Sequence, residues 1–472
     1  MTRRRIHLAA HFPGVNNTTV WTDPAAGSQI DFASFEHFAR TAERGFFDYL
    51  FLAEGLRLRE HRGQLHDLDV AGRPNTLAIL TALAAVTEHI GLVGTLNTTF
   101  NEPYELARQL GTLDLLSNGR AGWNAVTSFD AFHGANFRRG GYLDHADRYV
   151  RASEFAELSK ALWSSWRDDA IVADAETGAF LRDDAIARVR HESRLFDVDA
   201  VFDVPRSPQG RPVIVQAGDS ADGRDFATAH ADVIFSLHTA FDDAQQFYRD
   251  VKGRLAAHGR DEDSLKILPA ATFVLGDTDA EARERSREIA LAQVRPQTAI
   301  TYLEQIWNRD LSGYDADGPL PDVEPDTGVE TAQGFAGRHA AIRARVGQLR
   351  AQATAENLSI RELVIRLTAN HTFVGTPEHV ASEIDRYVQE RATDGFTVVG
   401  HVTPHGLDEF TDRVVPLLQE RGSYRRSYDE GATLHDLVDT HRTAGRTVTI
   451  LSAEMENPSG YGRIVRDATG QV

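Results

Sequence analysis

The sequence predicts an α/β protein that folds as a (β/α)8 TIM barrel with insertions, and three observations support this fold class. Short apolar runs alternate with amphipathic helical patterns through most of the 472 residues. The runs are continuously apolar rather than alternating, as expected of parallel strands that are buried on both faces. Eight such strand and helix units follow one another, and the chain is long enough to add insertions to one barrel.

Each predicted strand is a short apolar run that ends in polar residues. The strands are Ile6–Phe12, Tyr49–Ala53, Ile90–Leu96, Ala121–Thr127, Val213–Ala217, Val233–Leu237, Ile267–Leu275 and Phe396–Val402. Helical spacing follows most of them, and residues typical of helix ends, such as Pro103 and Gly45, mark some of the boundaries. The predicted helices are Phe32–Arg44, Asn75–Glu88, Pro103 to about Leu116, Ala146–Trp163, Asp222–His230 and a last helix to about Glu420.

The predicted barrel occupies residues 1–440, with insertions at about 167–211 and 277–367. The first insertion is polar and has an extended pattern over Leu195–Val204. The second is helical, and its break at Asp315–Asp326, which is rich in prolines and acids, predicts a mobile surface loop or lid.

Residues 441–472 do not fit the barrel pattern and are predicted to be a C-terminal appendage. The segment Thr447–Val472 resembles a fragment of the bacterial sugar-phosphate uridylyltransferases, without the glycine-rich nucleotide loop of that family. The fragment is too short to fold or catalyse alone, so no transferase activity is predicted.

Composition excludes several classes of function. The net charge is −19, from 50 basic and 69 acidic residues, which disfavours binding to nucleic acids or to acidic membrane surfaces. The chain has no cysteine, so disulfides, thiolate metal sites and cysteine nucleophiles are excluded. No apolar run approaches the ~18 residues that a membrane-spanning helix needs, and no signal peptide is recognised. We therefore expect a cytoplasmic protein.

Ligand groups in a parallel barrel stand at the C-terminal ends of the strands, so the polar residues there are the site candidates. They are His11, Glu54, Thr95, Asn97, Asn124, Thr127, Ser128, Gln216, Ser220 and His238. His11, Asn124 and His238 are candidates on the substrate side, although residues of these types are also common in structural hydrogen bonds. His-x-His and His-Glu-x-x-His spacings are absent from the sequence, so no metal site is predicted. Phosphate-loop and Rossmann glycine patterns are absent too.

Two patterns predict a site for a phosphorylated ligand. After the fifth strand, Gly218 lets the backbone approach a ligand, Ser220 supplies a hydroxyl and Arg224 supplies a cation at the start of the next helix. His145 and Tyr149 share one helix face, because residues four apart point the same way. Both patterns also have plainer explanations, namely an ordinary turn with a serine cap and a helix face that packs on the barrel.

Several longer segments resemble one known family. They are Gly45–Asp48, Leu52–Glu54, Ile90–Thr95, Arg108–Ser128, Ala135–Phe137, His145–Tyr149, Gln216–Ser220, Phe373–Glu378 and Gly406–Leu417. On these segments the chain resembles the bacterial luciferase-like flavin-dependent monooxygenases, in the branch of nitrilotriacetate monooxygenase, dibenzothiophene-sulfone monooxygenase and the pristinamycin synthase large subunit. The most specific part is the Gly-Trp-Asn segment at 122–124 together with the helix that carries His145 and Tyr149.

The resemblance implies the oxygenase component of a two-component system. Reduced FMN (FMNH2), supplied by a separate NAD(P)H-dependent flavin reductase, would react with O2 to give a C4a-(hydro)peroxide that transfers one oxygen atom to a small organic substrate. Such chemistry requires no dedicated nucleophile, so no catalytic residue is assigned. The family also implies a homo-oligomer, either a dimer or a tetramer.

The resemblance further assigns the flavin contacts to five positions. Glu54 stands where the family usually has an aspartate, and its extra methylene alters the contact. His238 stands where a glutamine is usual, at a position that could tune substrate choice. The five cofactor-binding positions are Glu54, Thr95, His145, Tyr149 and Ser220.

Two alternative functions fit the same barrel. One is an oxidoreductase that uses the deazaflavin coenzyme F420 for hydride transfer without O2 and needs room for a longer polar tail. The other is a non-catalytic flavin-binding barrel, which the altered Glu54 leaves open. The mass of the bound cofactor separates FMN from the deazaflavin, and O2-dependent product formation separates an enzyme from a binding protein.

Overall fold

In the computed structural model of the protein, residues 3–16, 18–56, 58, 60–61, 64–65, 73–128, 136–137, 145–326 and 339–439 are described. The description is limited to the backbone at residues 60–61, 64–65, 145–146, 339–341 and 439. The predicted appendage at 441–472 lies outside the described residues. Among the helices that are described, none is both long and apolar enough to cross a membrane.

A closed barrel of parallel strands forms the centre of the fold. From β1 to β6, each strand pairs with the next one in the chain, and β6 pairs with the first half of β7. The second half of β7 pairs with β8. Strand β8 pairs with β1, which closes the barrel. The predicted TIM barrel is therefore confirmed for the described part of the chain. The bounds are β1 His7–Phe12, β2 Tyr49–Leu52, β3 Gly91–Asn97, β4 Ala121–Val126, β5 Val213–Gln216, β6 Val233–Ile234, β7 Lys266–Ile267 with Ala270–Leu275, and β8 Gly395–Val399.

Strand β7 is predicted as one run, but Leu268 and Pro269 interrupt it. Proline has no N–H group to donate, so a regular ladder cannot run through this position. On one side of the gap, Leu268 N donates to Ile234 O at 2.9 Å. On the other side, Pro269 O accepts from Thr397 N at 2.9 Å, so the barrel stays closed. Strand β6 is also shorter than predicted and ends at Ile234 rather than at Leu237.

Helices cover the outside of the barrel and build the second insertion. They are α1 Phe32–Arg44, α2 Thr76–Ala84, α3 Pro103–Leu116, α4 His145–Trp163, α5 Ala221–His230, α6 Phe241–Leu255, α7 Asp279–Gln293, α8 Pro296–Trp307, α9 His339–Glu356, α10 Ile360–Thr368, α11 Pro377–Gln389, α12 Asp408–Arg413, α13 Val415–Glu420 and α14 Leu434–Asp439. Asn75 is the cap of α2 rather than its first residue, because its side-chain oxygen accepts from Ala78 N at 3.0 Å. The last predicted helix is divided into α12 and α13 beside Pro416, which cannot donate within a helix.

The first insertion folds as two antiparallel ribbons that are separate from the barrel sheet. Ile171–Asp174 pairs with Ala179–Leu181, and Arg188–Glu192 pairs with Asp197–Val201. The segment with the extended pattern, Leu195–Val204, contains the last of these strands.

The second insertion has an apolar cluster of its own, to which α7, α8, α9 and α10 contribute. The segment Asp315–Asp326, predicted to be a mobile loop or lid, is held against these helices. Trp307 Nε1 donates to Val323 O at 3.0 Å, and Arg350 Nη2 donates to the same oxygen at 2.7 Å. Ala316 is buried in the cluster, so this segment is packed rather than free.

The barrel interior is apolar near the N-terminal ends of the strands. Inward side chains of several strands form this layer, among them Ala9, Tyr49, Val93, Val215 and Val233. Leu434 of α14 joins the layer and lies so close to Gly91 and Gly122 that a Cβ atom on either glycine would press against its side chain. Helix α14 therefore closes the N-terminal end of the barrel.

Buried aspartates lie on the rim at this closed end. Asp48, Asp232 and Asp394, which we name the rim aspartates, each stand directly before a strand. Each carboxylate accepts a hydrogen bond from the backbone of the neighbouring strand, so it ties two strands together at a fixed height. The donors, in the same order, are Leu8 N at 2.8 Å, Ile214 N at 2.8 Å and Ile267 N at 2.9 Å.

Each rim aspartate also contacts a basic side chain from elsewhere in the chain. Burial alone would raise the pKa of each of these carboxyl groups, but the nearby cations hold the pKa below its ordinary value. The rim aspartates are therefore charged at neutral pH. The pairs are Asp48 with Arg425, Asp232 Oδ2 with Arg211 Nη1 at 2.7 Å, and Asp394 Oδ2 with Lys252 Nζ at 3.0 Å.

Replacing Arg425 with methionine (Arg425→Met) should destabilise the barrel, because Asp48 is then buried without its cation. His7 lies 3.4 Å from the carboxylate, but burial lowers the pKa of His7 to about 4, so its ring is neutral at pH 7. Removing one partner of a buried ion pair lowers the free energy of unfolding by about 3–5 kcal/mol. Urea unfolding measures the loss, and exposed Arg426→Met is the control, expected within about 0.5 kcal/mol of wild type. Equal midpoints for the two variants would contradict this role.

Candidate active site

Above the apolar layer, polar side chains collect at the C-terminal ends of the strands. On β3 the inward side chain changes from Val93 to Thr95 and then Asn97, because inward positions lie two residues apart. We name the whole group the barrel-mouth cluster. Its members are His11 of β1, Glu54 after β2, Thr95 and Asn97 of β3, and Asn124 of β4.

Thr95 and Asn124 lie side by side on adjacent strands, and both are buried. Asn124 Nδ2 donates to Thr95 Oγ1 at 2.8 Å, which orients the amide. Asn124 Oδ1 is also buried, and it has no hydrogen-bond partner among the described residues. A buried amide oxygen in this state suits an N–H group of a ligand.

Glu54 is held by Asn97, whose Nδ2 donates to Glu54 Oε2 at 3.0 Å. Asn97 is buried and is fixed in turn, because its Oδ1 accepts from Phe100 N at 2.7 Å. Burial raises the pKa of Glu54 to about 7, and the bonds from Asn97 oppose this only in part. Glu54 can therefore donate or accept a hydrogen bond near neutral pH. The sequence places Asn97 among the candidates at the strand ends, but it does not show that this side chain holds Glu54.

His11 packs against Phe51 of β2, with the two ring centroids 5.0 Å apart. Burial, followed by the charge of Arg73, lowers the pKa of His11 to about 3, so the ring is neutral. Its Nδ1 lies 3.2 Å from Phe51 O, and a carbonyl oxygen can only accept. Nδ1 therefore carries the proton, which leaves Nε2 of His11 as a hydrogen-bond acceptor.

The turn after β5 meets helix α4 in a second group, the turn cluster, formed by Tyr149, Gly218, Ser220 and Gly223. Ser220 caps α5, and its Oγ accepts from Gly223 N at 3.1 Å, as the plainer explanation of this serine expects. The Tyr149 hydroxyl lies 3.4 Å from Ser220 Oγ. A Cβ atom on Gly223 would lie 3.0 Å from both Gly218 Cα and Tyr149 Oη. The absence of side chains at both glycines therefore allows the close approach of the turn, α5 and Tyr149.

Two further residues near the turn have acidic partners on α6. Arg224, expected to supply a cation for phosphate, bonds through Nη1 to Asp250 of α6 at 2.8 Å and through Nε to Asp219 O at 3.0 Å. His238 Nδ1 lies 2.6 Å from Asp243 Oδ2, and its Nε2 lies 3.9 Å from Asp219 Oδ1. Arg224 is thus directed toward α6, and His238 borders the turn through Asp219.

Buried arginines anchor helix α4 over the strand ends. Arg151 Nε donates to Thr98 O at 2.9 Å, after β3, and Arg148 Nη1 donates to Ser128 O at 3.4 Å, after β4. The start of α4 is therefore fixed against two loops at the barrel mouth. The side chain of His145 lies outside the described residues, so its flavin contact stays a prediction.

Comparisons with known proteins decide the family. The family model described as "Luciferase-like monooxygenase" matches residues 13–394. The chain belongs to this family. N-acetyl-S-(2-succino)cysteine monooxygenase of Bacillus subtilis (strain 168) is 37% identical over 449 residues, or 92% of this chain and 96% of that protein. Nitrilotriacetate monooxygenase component A of Aminobacter aminovorans is 38% identical over 430 residues, or 88% of this chain and 92% of that protein.

A solved structure agrees with this assignment. The crystal structure of DmoA from Hyphomicrobium sulfonivorans matches with a TM-score of 0.77 and 30% identity, and the match covers 93% of this chain and 92% of that one. The protein is therefore a flavin-dependent monooxygenase with the fold of the luciferase-like family.

In this luciferase-like monooxygenase, the predicted site residues fall into two places. Those at the barrel mouth are His11, Glu54, Thr95 and Asn124, and those at the turn are Tyr149 and Ser220. His238 lies beside the turn. Sequence reasoning missed Ser236, which is fully buried after β6 and whose hydroxyl has no partner among the described residues. The predicted strand ran through this position to Leu237, so a polar residue within an apolar run was the available signal.

Glu54→Gln should make the stability of the monooxygenase less dependent on pH. Because burial raises the folded-state pKa of Glu54 from 4.5 to about 7, its contribution to stability is complete below about pH 4.5 and is lost as the pH rises through 7. Wild type should therefore lose more free energy of unfolding than Glu54→Gln between about pH 5 and pH 8. Urea unfolding at both pH values measures the difference, and exposed Glu88→Gln should behave as wild type. Parallel pH profiles for wild type and Glu54→Gln would refute the raised pKa.

Proposed function

We propose that this monooxygenase is the oxygenase component of a two-component system. A separate NAD(P)H-dependent flavin reductase supplies reduced FMN, and the protein uses it with O2 to insert one oxygen atom into a small organic substrate. The designation of the Aminobacter aminovorans relative as component A supports this division of labour between two proteins. The homo-oligomeric state stays a prediction.

The observation that carries the proposal is a buried polar atom without a partner at the barrel mouth. Asn124 Oδ1, which lies inside the barrel beside Thr95, has no hydrogen-bond partner among the described residues. A buried polar atom without a partner costs about 1–3 kcal/mol, so this oxygen fits a site that a polar ligand completes. The flavin ring offers N–H donors along one edge, which suit this acceptor.

The turn cluster suits the phosphate of FMN. The first turn of α5 presents backbone N–H groups, and the N-terminus of a helix favours an anion. Gly218 and Gly223 have no side chains to cover these groups, and the hydroxyls of Tyr149 and Ser220 lie beside them. Because Arg224 is bound to a carboxylate of α6, we assign the phosphate to neutral donors rather than to this arginine.

The chain itself must hold the ring, shield it from water and position the substrate. Reduced FMN, when bound, supplies the two electrons with which one atom of O2 enters the substrate and the other leaves as water. Phe51 and Phe235 stack with ring centroids 5.8 Å apart and offer an apolar wall. Neutral His11 presents an acceptor nitrogen, and Glu54 can hold or release a proton near pH 7.

Tyr149→Phe and Ser220→Ala should each weaken the binding of reduced FMN. Loss of one hydrogen bond to a charged group costs about 1.5–3 kcal/mol, which corresponds to a roughly 10- to 150-fold higher Kd. Anaerobic titration followed by flavin absorbance measures the Kd. Tyr104→Phe, which removes a hydroxyl bonded to Asp203 instead, is the matched control and should bind as wild type. Since Ser220 also caps α5, Ser220→Thr should restore binding by keeping the hydroxyl.

The same titration with F420 in parallel separates the alternatives. Binding of F420 and not of FMN would replace the proposal with a deazaflavin oxidoreductase. Binding of neither would favour a barrel that has lost its cofactor. If FMN binds but both hydroxyl variants match wild type, the phosphate lies elsewhere than in the turn cluster.

Gly223→Ala should weaken FMN binding at least as much as the loss of either hydroxyl. The added Cβ would lie 3.0 Å from Gly218 Cα and Tyr149 Oη, so the turn must open to accept it. Gly253→Ala, in α6, is the control, because its Cβ would meet nothing within 4 Å. The control should gain up to about 1 kcal/mol of helix stability and keep the wild-type Kd. The same Kd for both alanine variants would argue against the close approach at the turn.

A further inference from the structure

A separate group of polar side chains joins helix α1 to the segment that follows β8. His37 lies in α1, His405 lies in the turn after β8, and Asp408 is the first residue of α12. His37 Nε2 lies 2.9 Å from Asp408 Oδ2, and His405 Nδ1 lies 3.2 Å from the same oxygen. The two ring nitrogens are 3.1 Å apart. We name these residues the His–His–Asp cluster; the proposed flavin chemistry does not use them.

Hydrogen bonds alone satisfy this arrangement poorly. A neutral imidazole carries one N–H, so each ring either donates or accepts at the nitrogen that faces the cluster. If both nitrogens are protonated, two N–H groups lie 3.1 Å from each other and both face the carboxylate of Asp408, where His37 Nε2 is 3.0 Å from Oδ1 and 2.9 Å from Oδ2. If only one is protonated, the other nitrogen faces the carboxylate as a second acceptor. A cation in the centre would use all three atoms as acceptors at once.

We propose that the His–His–Asp cluster binds a divalent transition-metal ion, for which zinc is the suitable probe. Zinc binds imidazole nitrogen and carboxylate oxygen at about 2.0–2.2 Å, so ligand atoms around a tetrahedral ion lie about 3.3–3.5 Å apart. The three separations in the cluster are 2.9, 3.1 and 3.2 Å, so movements of a few tenths of an ångström admit the ion. Two imidazoles favour zinc, nickel or copper over magnesium or calcium.

The surroundings of Asp408 resemble those of a metal-binding carboxylate. Thr41, one turn after His37 on α1, donates through Oγ1 to Asp408 Oδ1 at 2.7 Å. This bond orients the carboxylate, in the way that outer partners hold metal ligands. Oδ2 lies near both rings, and Oδ1 is also 3.0 Å from His37 Nε2. The side chains of His37, His405 and Asp408 are 39%, 50% and 29% exposed, so an ion can enter from solvent and keep water as its fourth ligand.

A bound ion would link the first helix of the barrel to its last strand and helix unit. These parts lie at the junction where β8 returns to β1. The ion would therefore restrain the segment that leaves the C-terminal end of β8. We assign it a structural role, because the cluster contains no residue of the barrel-mouth or turn clusters.

The test uses the full-length protein after EDTA treatment and removal of the chelator. Calorimetric titration with ZnCl2 should show one ion per chain, and Co²⁺ should give the visible absorption of a tetrahedral site. His405→Ala should raise the zinc Kd by more than about 100-fold, and Thr41→Val, which removes only an outer partner, by about 10- to 100-fold. His258→Ala, an exposed histidine in another part of the chain, should keep the wild-type Kd.

Thermal melting provides a second measurement. Zinc should raise the Tm of wild type and of His258→Ala but not that of His405→Ala, because a ligand that binds only the folded state stabilises it. Since His405 is half-exposed, its alanine variant should melt as wild type does in EDTA. Absence of zinc binding by wild type would overturn the proposal. So would a His405→Ala variant that binds one zinc ion as tightly as wild type.

Discussion

The bond between each rim aspartate and the adjacent strand is the constraint on which the rest of the structure depends. A parallel barrel closes only if neighbouring strands keep a fixed stagger. The carboxylates of Asp48, Asp232 and Asp394 fix that stagger between β1 and β2, between β5 and β6, and between β7 and β8. A slip of one residue would turn inward side chains outward. The rim aspartates, buried at the opposite end of the barrel, therefore help to determine which side chains face inward in the barrel-mouth cluster.

The two ends of the barrel differ in whether their buried polar groups have partners. At the base, each rim aspartate has both a backbone donor and a cation, and its charge is stabilised. At the mouth, Asn124 and Ser236 present atoms without partners among the described residues, and burial keeps Glu54 from ionising readily. This difference is expected if the base of the barrel stabilises the fold, while the ligand-binding mouth keeps polar groups that lower the stability of the protein without its ligand.

Much of the fold could be predicted from the sequence, because the pattern of apolar residues differs between buried parallel strands and amphipathic helices. Errors in the predicted elements occur where a proline interrupts the hydrophobic pattern, as at Pro269 between the two halves of β7 and Pro416 in the first turn of α13. Long-range contacts could not be predicted. Asn97 had no visible reason to hold Glu54, and nothing in the spacing of His37 and His405 shows that the fold brings their rings together. The packing of the segment 315–326 could not be predicted either, because it depends on contacts from Trp307 of α8 and Arg350 of α9.

The ion pair of Asp48 and Arg425 has a consequence for the order of events during synthesis. The two residues are 377 positions apart, so the first strands leave the ribosome long before the cation that neutralises their carboxylate exists. At about 5–20 residues per second this delay lasts roughly 20 to 75 seconds. Leu434, which fills the interior between Gly91 and Gly122, arrives later still. All eight strands, the last of which ends at Val399, are therefore synthesised before the barrel's N-terminal end can be completed, and we expect chaperones to be needed most in that interval.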